Sequence, residues 1–167
     1  MPMNEQGVSR NRYQIVPRTL VFIIRGNDVL LLKGAPNKRL WANLYNGIGG
    51  HIERGEDVLS AARRELKEET GLETSKLQLC GTVVVDVSDQ VGIGIFIFRG
   101  EYEGGVLISS SEGSLAWISS SKIDQYPLVE DLKTILPLVL KQVPGSAPFF
   151  ARYEYDENEK VRVILAE

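Results

Sequence analysis

The stretch from Gly50 to Leu72, GHIERGEDVLSAARRELKEETGL, gathers the residues of this chain best suited to chemistry. Residues 57–70 carry helical periodicity. At about 100° per residue, Glu69 falls about 40° to one side of Glu65 and Glu68 about 60° to the other. Leu59, Ala62 and Leu66 lie about 60–120° from Glu65, so the three carboxylates border the apolar stripe. Ala61 and Val58 are small and leave room among them, while Arg63 and Lys67 face water. Such a patch opposes its own helix. The like-charged i,i+4 pair of Glu65 and Glu69 costs about 0.2–0.5 kcal/mol, which Arg64, four residues before Glu68, relieves only in part. Clustered hard oxygen donors beside an apolar wall suit Mg²⁺ or Mn²⁺, cations that keep some waters and bind phosphates. A solvated acidic helix face is the plain alternative.

Other elements must hold this helix in place. After Arg18, the runs TLVFII and VLLLK flank Gly26-Asn27-Asp28 and predict a β-hairpin. Residues 34–50 are rich in Gly and Asn and read as a loop. Thr82 to Val87 and Gly92 to Arg99 read as strands around Ser88-Asp89-Gln90, and Leu115 to Ile118 as a short strand. Leu128 to Val143 reads as a helix that Pro137 kinks or divides. FFARYEY and KVRVILA, around Asp156 to Glu159, predict a terminal hairpin. The expected class is α+β, a mixed sheet with helices on its faces. Residues 1–12 read as a flexible polar tail and residues 13–167 as a single domain.

Composition narrows the function. The chain has 167 residues, 43% apolar and 25% charged, which argues against disorder. Its 19 Lys and Arg against 22 Asp and Glu give a net charge of −3. No general basic surface exists for nucleic acid, so an anionic ligand needs a local device. The lone cysteine, Cys80, forms no intramolecular disulfide and fits a reducing compartment. No apolar run is long enough to span a bilayer, and MPMNEQGVSRNR lacks the apolar core of a secretory signal. The expectation is a cytoplasmic protein, monomer or homodimer, with a small-molecule partner.

The helix lies within a longer pattern: Gly50, Glu56, Arg64, Glu65, Leu66, Glu68, Glu69, Gly71 and Leu72, at the spacing of the Nudix box. Seven fixed positions at background frequencies of about 7% coincide by chance on the order of 10⁻⁸ per window. The chain therefore resembles the Nudix hydrolases. The resemblance implies an α/β/α sandwich with hairpins and Mg²⁺-dependent hydrolysis of a diphosphate linkage, Mn²⁺ being a possible substitute. It makes Glu65, Glu68 and Glu69 metal ligands, joined by the Gly49 carbonyl. Arg64 would orient the glutamates, and Glu65 or Glu69 would accept the proton of the attacking water. Glu56 sits near the helix start, where a carboxylate complements the dipole.

The flanks resemble the MutT-type enzymes that hydrolyse oxidised purine nucleoside triphosphates such as 8-oxo-dGTP. That resemblance implies substrate contacts at Asn46, Thr19 and Lys33, a late metal-associated glutamate at Glu112, and a base-reading acid at Asp131. A second base-reading acid is missing: Leu132 stands in its place, with Glu130 on the other side. Gly50 brings backbone near the ligand, and His51 lies near the phosphates without being essential. Each flank residue also has an ordinary use in a loop, strand end or helix start. Trp41 and Tyr45 either stack on a base or close the core, and Lys38 and Arg39 either steer a polyphosphate into the cleft or are plain loop charge. The alternatives are an ADP-ribose or other sugar-nucleotide diphosphatase and a non-catalytic nucleotide sensor. An isomerase sharing the fold would place a catalytic cysteine before the box, and Cys80 lies after it.

Overall fold

The computed structural model describes residues 6, 7, 9, 11–158 and 160–166; most of the expected tail lies outside them. The chain runs β1 (Gln14–Arg25), β2 (Asp28–Gly34), β3 (Tyr45–Asn46), α1 (Val58–Thr70), β4 (Leu77–Asp86), β5 (Val91–Glu101), β6 (Gly113–Ser119), a 3₁₀ turn (Ser120–Gln125), α2 (Leu132–Lys141), β7 (Phe149–Tyr155) and β8 (Val161–Leu165). One mixed sheet takes the order β3-β2-β1-β5-β4-β7-β8, with β6 also on β2. The three hairpins β1-β2, β4-β5 and β7-β8 are antiparallel, and β1-β5 and β4-β7 are parallel. This is the expected α+β class, a mixed sheet with helices on its faces.

Both sheet faces are covered, which explains the unbroken apolar runs of β1 and β2. Phe22 and Ile24 point to the core under α2, with Ile135, Leu136 and Val139. Val21 and Ile23 point to the core under α1, with Ile48, Ala62 and Leu66. The β1-β2 hairpin forms as expected but pairs only at its tip, Ile23 to Arg25 against Asp28 to Leu30. Below the tip the strands part. The stretch Ile48–His51 enters there, bridging Val21 to Ile48 and Arg18 to His51.

Helix α1 fits its expected span. Asp57 caps it by accepting the Leu59 and Ser60 N–H groups, both at 2.9 Å. Glu56 lies just before the cap, near the helix start as expected, and its carboxylate faces Arg64. Gly71 ends the helix at φ 74°, its N–H reaching the Lys67 carbonyl. Helix α2 begins later than its apolar pattern. Pro127 and Val129 bond the Tyr45 main chain at 2.8 and 3.0 Å, so Leu128 bridges to the sheet edge, and Glu130 and Asp131 form the turn that leads into the helix. Pro137 sits inside α2 without dividing it.

Candidate active site

The site begins where Gly49 and Gly50 cross α1. The Thr19 N–H donates to the Gly50 carbonyl at 2.9 Å and draws this strand against β1. A Cβ on Gly49 would lie 2.1 Å from the Thr19 carbonyl oxygen, and one on Gly50 would lie 2.5 Å from a Glu65 carboxylate oxygen. Only glycine allows the main chain so close to the helix carboxylates. The Gly49 N–H donates to Glu69 Oε2 at 3.1 Å.

Arg64 organises the rest. It reaches Glu56 with Nε at 2.7 Å and Nη2 at 2.9 Å, a two-pronged pair. Its Nη1 donates to Glu65 at 2.9 Å and to Glu68 at 3.2 Å, and Nη2 also donates to the His51 carbonyl at 3.0 Å. Glu56 also accepts the Glu53 N–H, and Arg64 with that bond holds its carboxyl down to about 2. The same anions raise the Arg64 guanidinium above its ordinary value.

Glu69 differs from its neighbours. It is 8% exposed, and burial pushes its carboxyl up to about 7. The Gly49 N–H and the Lys38 ammonium pull the other way, while Glu65 and Glu68 push further. Among the described residues no three acidic, His or Cys side chains already converge on one point. The donor set nevertheless fits a hard divalent cation. A buried carboxylate and a half-buried one, Glu65, stand against glycine backbone with anionic charge that Arg64 only partly offsets.

Beside this strand opens a cavity of about 570 Å³. Thr19, Asn46, Gly49, Gly50, His51, Glu112 and Asp131 all line it, so seven expected residues meet there. Thr19 is 3% exposed, and its hydroxyl is buried with no hydrogen-bond partner among the described residues. Such a group is normally satisfied, so a ligand atom there would complete it. Asn46 accepts the Gly47 N–H at 2.8 Å through its side-chain oxygen. His51 accepts from Arg18 Nε at 3.1 Å. Lys33 is not brought to the cavity: it lies within β2, its ammonium 5.8 Å from the centre of the Tyr45 ring. Tyr45 closes the core, edge-on to Tyr126. Trp41 lines the cavity with φ 59°, a conformation rare for a bulky side chain.

The far end of the cavity holds features that sequence reasoning missed. Tyr153, Tyr155 and Val161 come from the terminal hairpin, and Val85, Ile93 and Ile95 supply an apolar wall from β4 and β5. Tyr153 donates to Asp131 Oδ2 at 2.8 Å. Burial raises the Asp131 carboxyl against that hydrogen bond, and burial beside Asp131 raises the Tyr153 phenol. Asp131 opens α2 but makes no capping bond, because its side chain is turned to Tyr153. Glu130 also lines the cavity, whereas Leu132 is wholly buried. A second acid thus lines the cavity beside Asp131, on the side where the sequence pattern did not place it. The adjacent Glu130-Asp131 pair was its only sequence signal.

No helix among the described residues is long and apolar enough to cross a membrane. The NUDIX domain profile matches residues 15–139. The chain is 30% identical over 144 residues to the oxidized purine nucleoside triphosphate hydrolase of Mus musculus, covering 86% of this chain and 88% of that one. It is 31% identical over 125 residues to the protein of that name from Danio rerio, covering 74% and 79%. In fold it resembles the MutT protein of Bacillus halodurans, with a TM-score of 0.77 at 22% identity over 90% of this chain and 97% of that one. The box on α1, the sheet that carries it and these relatives together place the chain in the NUDIX family, as a Nudix hydrolase acting on diphosphate bonds.

Proposed function

We propose that the protein hydrolyses oxidised purine nucleoside triphosphates to monophosphate and pyrophosphate, with Mg²⁺ as the working cation and Mn²⁺ as a substitute. One observation carries the reading: a single cavity is lined by a half-buried acid, Asp131, with an apolar surround, and by the Gly49–His51 strand. A purine fits the first and phosphates the second. The relatives named for oxidised purine triphosphates support the same substrate class.

Glu65, Glu68, Glu69 and the Gly49 carbonyl would hold the cation, with Glu112 joining from the cavity side. A divalent cation there would lower the pKa of water and offset phosphate charge. Arg64 keeps Glu65 and Glu68 aimed while Glu56 anchors Arg64 from behind. Glu65 or Glu69 accepts the proton of the attacking water. Water adds across the anhydride: its oxygen bonds phosphorus, the bridging P–O bond breaks, and pyrophosphate leaves. Thr19 and Asn46 meet the nucleoside, Gly50 and His51 flank the phosphates, and Asp131, with Glu130 beside it, reads the base edge. A reducing cytoplasm, where buried Cys80 stays a thiol, suits the substrate.

The test is a comparison of kcat/KM for 8-oxo-dGTP, dGTP, 2-hydroxy-dATP and ADP-ribose, with and without Mg²⁺. The expected result is Mg²⁺-dependent turnover that favours an oxidised purine. A tenfold or greater preference for ADP-ribose would replace this substrate with a sugar nucleotide and leave only the hydrolytic chemistry.

A further inference from the structure

One cation at the site has no part in the mechanism above. Lys38 lies on the loop between β2 and β3, and its ammonium forms an ion pair with Glu112, 74 residues away. Glu112 lines the cavity, and the charge of Lys38 also acts on buried Glu69. Lys38 therefore pairs with the late glutamate at the cavity and lies within electrostatic reach of the helix carboxylate Glu69.

The two loops meet without help from this pair. The Ala35 N–H donates to the Glu112 carbonyl at 3.0 Å, and the Lys38 N–H closes a turn on the Ala35 carbonyl at 3.1 Å. The Glu112 N–H donates to Ser110 Oγ at 3.1 Å. Main-chain bonds thus fix the approach, and the side chains remain free to exchange partners. Lys38 is 34% exposed and Glu112 45%, so the pair is weak and water-screened. A triphosphate offers the ammonium several oxygens and more charge than one carboxylate.

We propose that Lys38 is a substrate-responsive latch on Glu112. Without nucleotide, the ammonium occupies the Glu112 carboxylate. An entering triphosphate draws the ammonium to its own oxygens and releases Glu112 to the divalent cation. Lys38 is then a polyphosphate contact, and it couples nucleotide binding to completion of the cation site. The inference rests on the proposed metal role of Glu112.

Mn²⁺ binding to the nucleotide-free protein tests it, followed by calorimetry or water-proton relaxation. Lys38→Met should tighten Mn²⁺ binding about threefold or more, since Glu112 is already released. Glu112→Gln combined with Lys38→Met should abolish that gain. Lys38→Met should also weaken binding of a non-hydrolysable nucleoside triphosphate about fivefold, with Lys38→Arg restoring most of it. Unchanged Mn²⁺ affinity in Lys38→Met, or a gain that persists without the Glu112 carboxylate, overturns the latch while the hydrolase reading stands. Wild-type protein that neither binds Mn²⁺ nor turns over triphosphates overturns both.

Discussion

The two ends of the site are built differently. The carboxylate end comes from one contiguous stretch, Gly49 to Gly71, closed on itself by Arg64 and by the Gly49 N–H, and its share of the cavity lining is Gly49, Gly50 and His51. The opposite end is assembled from distant pieces: Asn46 on β3, Asp131 before α2, and Tyr153 and Tyr155 on β7. Local segments fix the reacting groups, and long-range packing shapes what they act on. Changes at the first end should therefore lower turnover on every substrate, and changes at the second should alter the ratio between substrates.

The largest effect expected is from removing the cation. Excess chelator should abolish hydrolysis, with Mg²⁺ or Mn²⁺ restoring it and Ca²⁺ restoring little. Glu68→Gln comes next, with kcat lower by about 10²-fold or more on all substrates. Its Tm in chelator should stay the same or rise, because one like charge leaves the patch. A fully active Glu68→Gln protein would make the patch a surface feature and break the contrast.

At the other end, Asp131→Ala should change discrimination between oxidised and normal purines about 5- to 150-fold, corresponding to about 1–3 kcal/mol for a buried polar partner. Cation dependence should be unaltered, and Asn46→Ala should act in the same direction.

A smaller effect concerns pH. Burial raises the Asp131 carboxyl, so the folded state holds its proton more tightly than the unfolded chain. That preference favours folding at low pH and is lost as pH rises from the ordinary carboxylate range through the raised value. Asp131→Asn has no charge to bury and can still accept from Tyr153. Its Tm relative to wild type should therefore climb with pH across that window, by about 2 °C or more. A difference that is flat with pH, measured by differential scanning calorimetry, would show that Asp131 carries no cost of buried charge.

The sequence revealed most of α1 because its signals are local, a 3.6-residue apolar period and the glycine of the box at its end, whereas the Asp57 cap emerged only with the structure. Gly49 and Gly50 were legible for the same reason. The Asp131–Tyr153 bond was not, because 22 residues and the β4–β7 pairing separate the two before they meet. Glu130 was obscured because the apolar pattern starts the helix at Leu128. The helix begins only at Leu132, after Tyr45 has captured Val129. The positions of Lys33 and Lys38 were hidden for a similar reason. A strand register holds Lys33 beside Tyr45, while a loop turn that no periodicity marks brings Lys38 to Glu112.

The most direct test is the ratio of kcat/KM for 8-oxo-dGTP over dGTP, measured in wild type, Glu68→Gln and Asp131→Ala under one set of conditions. The separate construction of the two ends predicts that Glu68→Gln lowers both rates and keeps the ratio, whereas Asp131→Ala shifts the ratio about 5-fold or more. A ratio that moves as far in Glu68→Gln as in Asp131→Ala, or that does not move in Asp131→Ala, would contradict it.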